Sequence, residues 1–104
     1  MIRMDENIDL CKIVIEDEMT IYTASQLKED FRPIIMDKRS LTISLQNVSE
    51  IDSSGIQLLM LIKRERQKID LVTQFIDHSD EVQKIINLIR LNSYFNINED
   101  DHAT

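Results

Sequence analysis

Apolar positions along this chain change their spacing several times, and each change marks an element. Leu41-Thr42-Ile43-Ser44-Leu45-Gln46 alternates strictly between apolar and polar. That period of two predicts a strand with one face buried and the other wet or lightly covered. Leu10-Cys11-Lys12-Ile13-Val14-Ile15 predicts a second strand, set between the acidic turns Asp5-Glu6-Asn7 and Glu16-Asp17-Glu18. Residues 2–4 are placed to pair with it as a hairpin, and the β-rich run at 71–76 adds another strand.

Helical spacing appears three times. Leu27, Phe31, Ile34 and Ile35 fall at i, i+4, i+7 and i+8 and predict a first helix. Residues 19–22 read as its extended entry, Thr23 as its N-cap, and Gln26 as the partner completing a capping box. Pro33 removes one backbone bond and predicts a kink near the third turn. Met36-Asp37-Lys38-Arg39 then closes the helix with cations near the negative end of its dipole. A second helix over 54–68 carries Leu58, Leu59, Ile62 and Ile69 on one stripe headed by Gly55. A third, over 80–91, carries Val82, Ile85, Ile86 and Ile89, with Asp77 or Ser79 as its cap. Residues 94–97 predict a short strand or packed coil.

Strands alternating with helices predict an α/β domain over residues 1–98. The expected architecture is a small mixed β-sheet of four to five strands with helices packed mainly on one face. Residues 99–104 form an acidic tail.

Composition narrows the function. A chain of 104 residues supports one hydrophobic core. Its single glycine, Gly55, excludes the glycine-rich loops that cradle phosphates, so no nucleotide cofactor is expected. Cys11 is the lone cysteine and alternates with Ile13 and Ile15, which predicts a small core residue and no intrachain disulfide. His78, in the loop before the third helix, reads as a turn residue, and the other histidine, His102, lies in the tail. No zinc site and no nucleophile–base pair can be assembled from this set, so no catalytic or metal-binding residue is expected. The net charge of −7 opposes nucleic acid and anionic membranes. No apolar run reaches the length of a bilayer span, so membrane insertion is not expected either. An acidic N-terminus stands where a signal peptide would have an apolar core. The setting predicted is cytoplasmic, and the ligand predicted is another protein.

One segment carries a signal beyond composition. Ile51-Asp52-Ser53-Ser54-Gly55-Ile56-Gln57-Leu58-Leu59 joins the alternating strand to the second helix. Small polar residues there cap a helix, and Gly55 lets its first turn lie close to a strand. Two serines at a helix N-terminus also present hydroxyls beside unpaired backbone N–H groups, a setting that tolerates a phosphate. Plain helix capping explains the same residues without any switch.

Asp52-Ser53-Ser54-Gly55, preceded by Val48 and Ile51 and followed by an apolar helix, resembles the signature of the STAS domain family, which includes the bacterial anti-sigma factor antagonists. Met19-Thr20-Ile21-Tyr22-Thr23-Ala24 leading into Gln26-Leu27-Lys28 is similar to the first-helix entry of small standalone members. The resemblance runs in order from residue 9 to residue 91. It implies a small sheet with helices on one face and a serine phosphoswitch. The implied acceptor is Ser53, with Asp52, Ser54 and Gly55 as its surroundings. The implied partners are a serine kinase that is also an anti-sigma factor, and a phosphatase that resets the system.

The chain departs from that pattern at Gln57, where many antagonists carry a second glycine. Asp17 stands at a place often glycine, and Thr20 and Ser44 at places often aspartate. Glycine-poor variants of this kind resemble STAS adaptor subunits of chemosensory or phospholipid-transport complexes, so a constitutive adaptor is the alternative. On the face of the second helix away from its buried stripe, Met60 and Leu61 stand among Gln57 and Arg64. Gln57, Met60, Leu61 and Arg64 are therefore the expected partner contacts. Core packing, or a weak homodimer, would use Met60 and Leu61 equally well.

Overall fold

The structure, a computed structural model, describes residues 1–95. Four strands form one sheet in the order β1 (Ile2–Glu6), β2 (Leu10–Met19), β3 (Ser40–Ile51) and β4 (Thr73–Ile76). β1 pairs antiparallel with β2, as the hairpin reading expected, with Ile2 opposite Ile15. β2, β3 and β4 are parallel, and their shared register places Ile13, Ile43 and Phe75 in one row. Cys11, Leu41 and Thr73 form the next row along the same face.

Parallel neighbours require crossovers, and helices supply them. α1 (Ala24–Ile35) connects β2 to β3, α2 (Ser53–Lys68) connects β3 to β4, and α3 (Asp80–Leu88) follows β4. Leu27, Phe31 and Ile34 of α1, Leu59 and Ile62 of α2, and Val82 and Ile86 of α3 all enter one buried cluster with Ile13, Ile43 and Leu45. The mixed α/β sheet with helices on one face is therefore as expected.

Several local readings change. β2 continues through the acidic segment at 16–18 expected to be a turn, with register shifts between Val14 and Glu16 and between Asp17 and Glu18. β3 likewise extends beyond Gln46 to Ile51, whereas β4 begins at Thr73 instead of 71. Ser44 is not on a wet face. It is fully buried, and its Oγ has no hydrogen-bond partner among the described residues. Val14 and Ile76 flank it on either side in the same row, and Val14 is buried with it.

The expected capping box of α1 does not form. Residues 20–23 make a turn in place of an extended entry, and the Thr23 hydroxyl donates to Glu18 O (2.9 Å) and accepts from the Thr20 N–H (3.0 Å). Gln26 bonds Asp30 one turn on (3.0 Å). α1 runs only two residues past Pro33. Its last carbonyls are met by a residue that periodicity did not single out, Arg66 of α2. Arg66 is completely buried, and its guanidinium donates to the carbonyls of Ile34, Ile35, Asp37, Arg39 and Val72 and to the Thr73 hydroxyl at 2.7–3.2 Å. Arg39, expected near the α1 dipole, instead pairs with Asp37 (2.5 Å) and Glu6 (2.8 Å).

Both later helices end with a residue in the left-handed region. Asp70 (φ 59°) and Arg90 (φ 60°) take the place where glycine is usual, and Leu71 and Leu91 donate back to Arg66 O and Ile86 O. Ile69 and Ile89 thereby fall at helix caps and are exposed, not buried as their spacing predicted. α3 stops at Leu88, short of the expected residue 91, and Ser79, not Asp77, supplies its cap. Residues 92–95 form a turn, which is the packed-coil alternative of the two expected, with Phe95 fully buried against Phe75. Positions 96 and 97, His102 and the acidic tail lie outside the described residues.

Candidate functional site

The C-terminal ends of β2 and β3 stop together, with Met19 opposite Ile51. α2 begins two residues after Ile51, so its first turn must pass close to the end of β2. Gly55 makes that approach: a Cβ there would overlap the Met19 carbonyl oxygen and lie 2.8 Å from Met19 Cβ and 2.9 Å from Ile51 Cγ1. Its φ is not positive, so the requirement is space and not backbone freedom.

Asp52 is the N-cap of α2. Its Oδ1 accepts from the N–H groups of Ser54 (2.8 Å) and Gly55 (3.3 Å). Its Oδ2 accepts from the Ile21 N–H (3.0 Å), thirty-one residues away. One carboxylate thus fastens the turn before α1 to the start of α2. The bond from Ile21 is the main cause that holds the Asp52 pKa below the usual carboxylate range, with those from Gly55 and Ser54 adding to it against partial desolvation.

Ser53 is the first residue of α2 and is exposed, and its hydroxyl makes no hydrogen bond among the described residues. Ser54 is half-buried and lines a shallow groove of about 270 Å³ between α1 and α2, together with Ser25, Lys28, Gln57, Leu58 and Leu61. The expected contact residues stand at i, i+3, i+4 and i+7 and share one face of this helix, but they differ in exposure. Gln57 and Arg64 are exposed, Leu61 is half-buried at the groove, and Met60 packs against the core, with its carbonyl accepting from the Tyr94 hydroxyl (3.4 Å).

Three features of the site were not anticipated. Asp17 adopts φ 68°, a left-handed backbone that favours glycine, although it stands within β2. Ile21 and Tyr22 project into solvent beside Asp52. Lys63 is half-buried, donates to Tyr94 O (2.6 Å) and sits 4.3 Å from the Tyr94 ring centroid, and burial lowers its pKa. The exposed apolar pair was legible as Ile21-Tyr22 in sequence, but nothing in the pattern distinguished it from strand. His78, read as a turn residue, is half-buried with Nε2 2.6 Å from Phe95 O, and burial lowers its pKa.

No helix among the described residues is long and apolar enough to cross a membrane, and no cluster of three His, Cys, Asp or Glu side chains among them could hold a metal. The arrangement offers an exposed hydroxyl at a helix N-terminus, an acidic clamp beside it and a groove alongside.

Comparison with known proteins places this geometry. The chain is 25% identical over 89 residues to the anti-sigma-B factor antagonist of Staphylococcus aureus, covering 85% of this chain and 82% of that protein. Its fold matches the anti-sigma factor antagonist SpoIIAA in its unphosphorylated form with a TM-score of 0.73 at 17% identity, over 90% of this chain and 84% of the other. The phosphorylated form of SpoIIAA, from Bacillus, matches with a TM-score of 0.68 at 16% identity, over 90% and 87% of the two chains. The family model of the STAS domain matches residues 1–103, in agreement with the resemblance carried by Asp52-Ser53-Ser54-Gly55, and the chain belongs to the STAS domain family.

Proposed function

We propose that this protein is a non-enzymatic regulatory switch of the anti-sigma factor antagonist kind, working in the cytoplasm. Ser53 is the phosphoacceptor, and its state controls binding to a serine kinase that also acts as anti-sigma factor. A serine phosphatase restores the binding form. The observation that carries this reading is the Ser53 hydroxyl, exposed at the first position of α2 and without a hydrogen bond among the described residues.

The neighbouring groups supply the physics. A phosphate on Ser53 adds roughly −1.5 to −2 charge near neutral pH. Spread over a protein already at −7, that changes little in bulk. Locally it stands next to Asp52 and near Glu50, and any partner seated over Ser53 would have to desolvate it. The N-terminus of α2 offsets part of the local cost, by about 0.3–1 kcal/mol at an exposed site, so the modified domain stays folded. The likeness of this fold to both forms of SpoIIAA supports that tolerance. Gln57, Met60, Leu61 and Arg64 form the remainder of the contact, along α2 from the switch.

The test is direct. The protein is incubated with ATP and the serine kinases of its source genome, and phosphate is mapped by mass spectrometry. Partner affinity is then compared for Ser53→Ala and Ser53→Asp. A single phosphate on Ser53, with tight binding by the alanine variant and weak binding by the aspartate variant, is expected. Equal binding and no phosphate would overturn the switch and leave a constitutive adaptor as the better description.

A further inference from the structure

The turn between β2 and α1 exposes two large apolar side chains at the same end of the molecule as Ser53. Ile21 is 69% exposed and Tyr22 is 89% exposed. The turn that carries them is tied down from several directions. Thr20 is buried, its carbonyl accepts from the N–H groups of Thr23 and Ala24, and the Thr23 hydroxyl bonds Glu18 O. The Ile21 N–H is held by Asp52. The turn therefore presents Ile21 and Tyr22 in a fixed position relative to the first turn of α2. Anchors carried on a turn already tied down cost less backbone ordering on binding, and tyrosine is among the residues enriched at binding hot spots.

Their surroundings are acidic. Glu16, Asp17 and Glu18 line the end of β2, Glu50 lies opposite Glu18 on β3, and Asp52 follows. Against these stand Arg3, which pairs with Glu16 at 3.6 Å, and Lys28, one turn into α1. Of these acids Asp17 and Glu50 are exposed, and an apolar pair beside them at this end of the sheet is complementary to an apolar pocket with a basic rim.

We infer that Ile21 and Tyr22 are anchors that insert into an apolar pocket on a protein partner whose rim is basic, and that Asp52 acts as the residue positioning them beside Ser53. The inference rests on the reading of this end of the molecule as a protein-binding surface, but not on phosphorylation of Ser53. It extends the contact from α2 across to the β2–α1 turn and assigns Asp52 a mechanical role: both of its oxygens are already engaged by backbone N–H groups. It also predicts that attraction weakens with salt, because the acidic rim is exposed to screening.

The experiment uses the full chain in cells of its source organism, with the photo-crosslinking residue p-benzoylphenylalanine at position 22 and, as a control at the other end of the sheet, at position 38. The protein crosslinked at position 22 is purified and its affinity measured for the wild type, Ile21→Ser and Tyr22→Ser at low and high salt. The inference expects a specific crosslink at 22 and none at 38, a loss of roughly thirtyfold in affinity for each variant, weaker binding at high salt, and unchanged thermal stability of the free variants. Absence of a crosslink above the control, or equal affinity of the variants, overturns it. Should the crosslinked partner bind alike whether or not Ser53 is modified, the anchors stand and the phosphoswitch falls. A phosphate on Ser53 with no role for Ile21 and Tyr22 gives the reverse: the switch stands and the anchors fall.

Discussion

Replacing Arg66 with alanine removes every side-chain donor that holds the ends of α1, β3 and β4 together. In the native protein its three nitrogens reach five carbonyls and one hydroxyl with no water-facing surface. Some acceptors keep another partner: Ile34 O retains the Asp37 N–H, and Val72 O retains the Leu41 N–H. The carbonyls of Ile35, Asp37 and Arg39 lose the guanidinium that serves them. A buried acceptor left unsatisfied costs about 1–3 kcal/mol, and these three are partly reachable by solvent once the side chain is gone. The cavity left by a long buried side chain adds to the loss. A total of about 3–5 kcal/mol follows, a large share of the roughly 5–15 kcal/mol available to a domain of this size. Arg66→Lys, whose ammonium has three donors, keeps at most half of the contacts and falls between. Urea unfolding followed by circular dichroism measures all three proteins. A loss below about 1 kcal/mol for Arg66→Ala would refute the claim that this guanidinium holds the fold together.

Gly55→Ala meets backbone and Cβ atoms, which cannot rotate away, and is expected to destabilise by about 1–3 kcal/mol, whereas Ser53→Ala leaves stability nearly unchanged. Calorimetry on the two variants compares them directly. Asp70→Gly and Arg90→Gly relieve left-handed backbone at exposed positions and should each raise stability by roughly 0.5 kcal/mol after the entropy cost of glycine, seen as a higher urea midpoint. Acid should act in two stages. Burial lowers the His78 pKa from 6.5, so the unfolded chain binds the proton more readily and stability falls as pH drops below that value. Asp37, bonded chiefly by the Arg39 side chain, and Asp52, bonded chiefly by the Ile21 N–H, have folded pKa values below 3.8. Their stabilisation is complete above 3.8 and is lost as pH falls toward the folded values, so urea midpoints should decline gently below 6.5 and more steeply below 3.8. Asp52→Asn should soften the second decline.

The large features were legible because burial follows period. Alternation at 41–46 and helical spacing at Leu27, Phe31 and Ile34 mark side chains that all reach one core. Local patterns misled where a tertiary contact overrode local chemistry. Arg66, in the last turn of α2, was not singled out by the pattern, because its burial depends on carbonyls from segments about thirty residues away. Thr23 has an ideal capping pattern, yet its hydroxyl is drawn to Glu18 and Thr20. The acidic run at 16–18 looked like a turn, but pairing with β3 carries it into the sheet, with bulges absorbing the misfit. Scarcity of glycine hid the helix ends, because Asp70 and Arg90 occupy the left-handed positions that glycine usually marks. At the site, Gly55 and Asp52 were identifiable from Asp52-Ser53-Ser54-Gly55, since close approach and capping are local demands. The link from Asp52 to Ile21 spans thirty-one residues and leaves no local trace.

Whether Ser53 is a switch comes down to one affinity ratio. The protein is phosphorylated stoichiometrically at Ser53, and its dissociation constant for the kinase that modified it is compared with that of the unmodified protein by calorimetry. A switch requires binding weaker by roughly thirtyfold or more for the phosphorylated form, with the domain still folded. Equal dissociation constants for the two forms would contradict it.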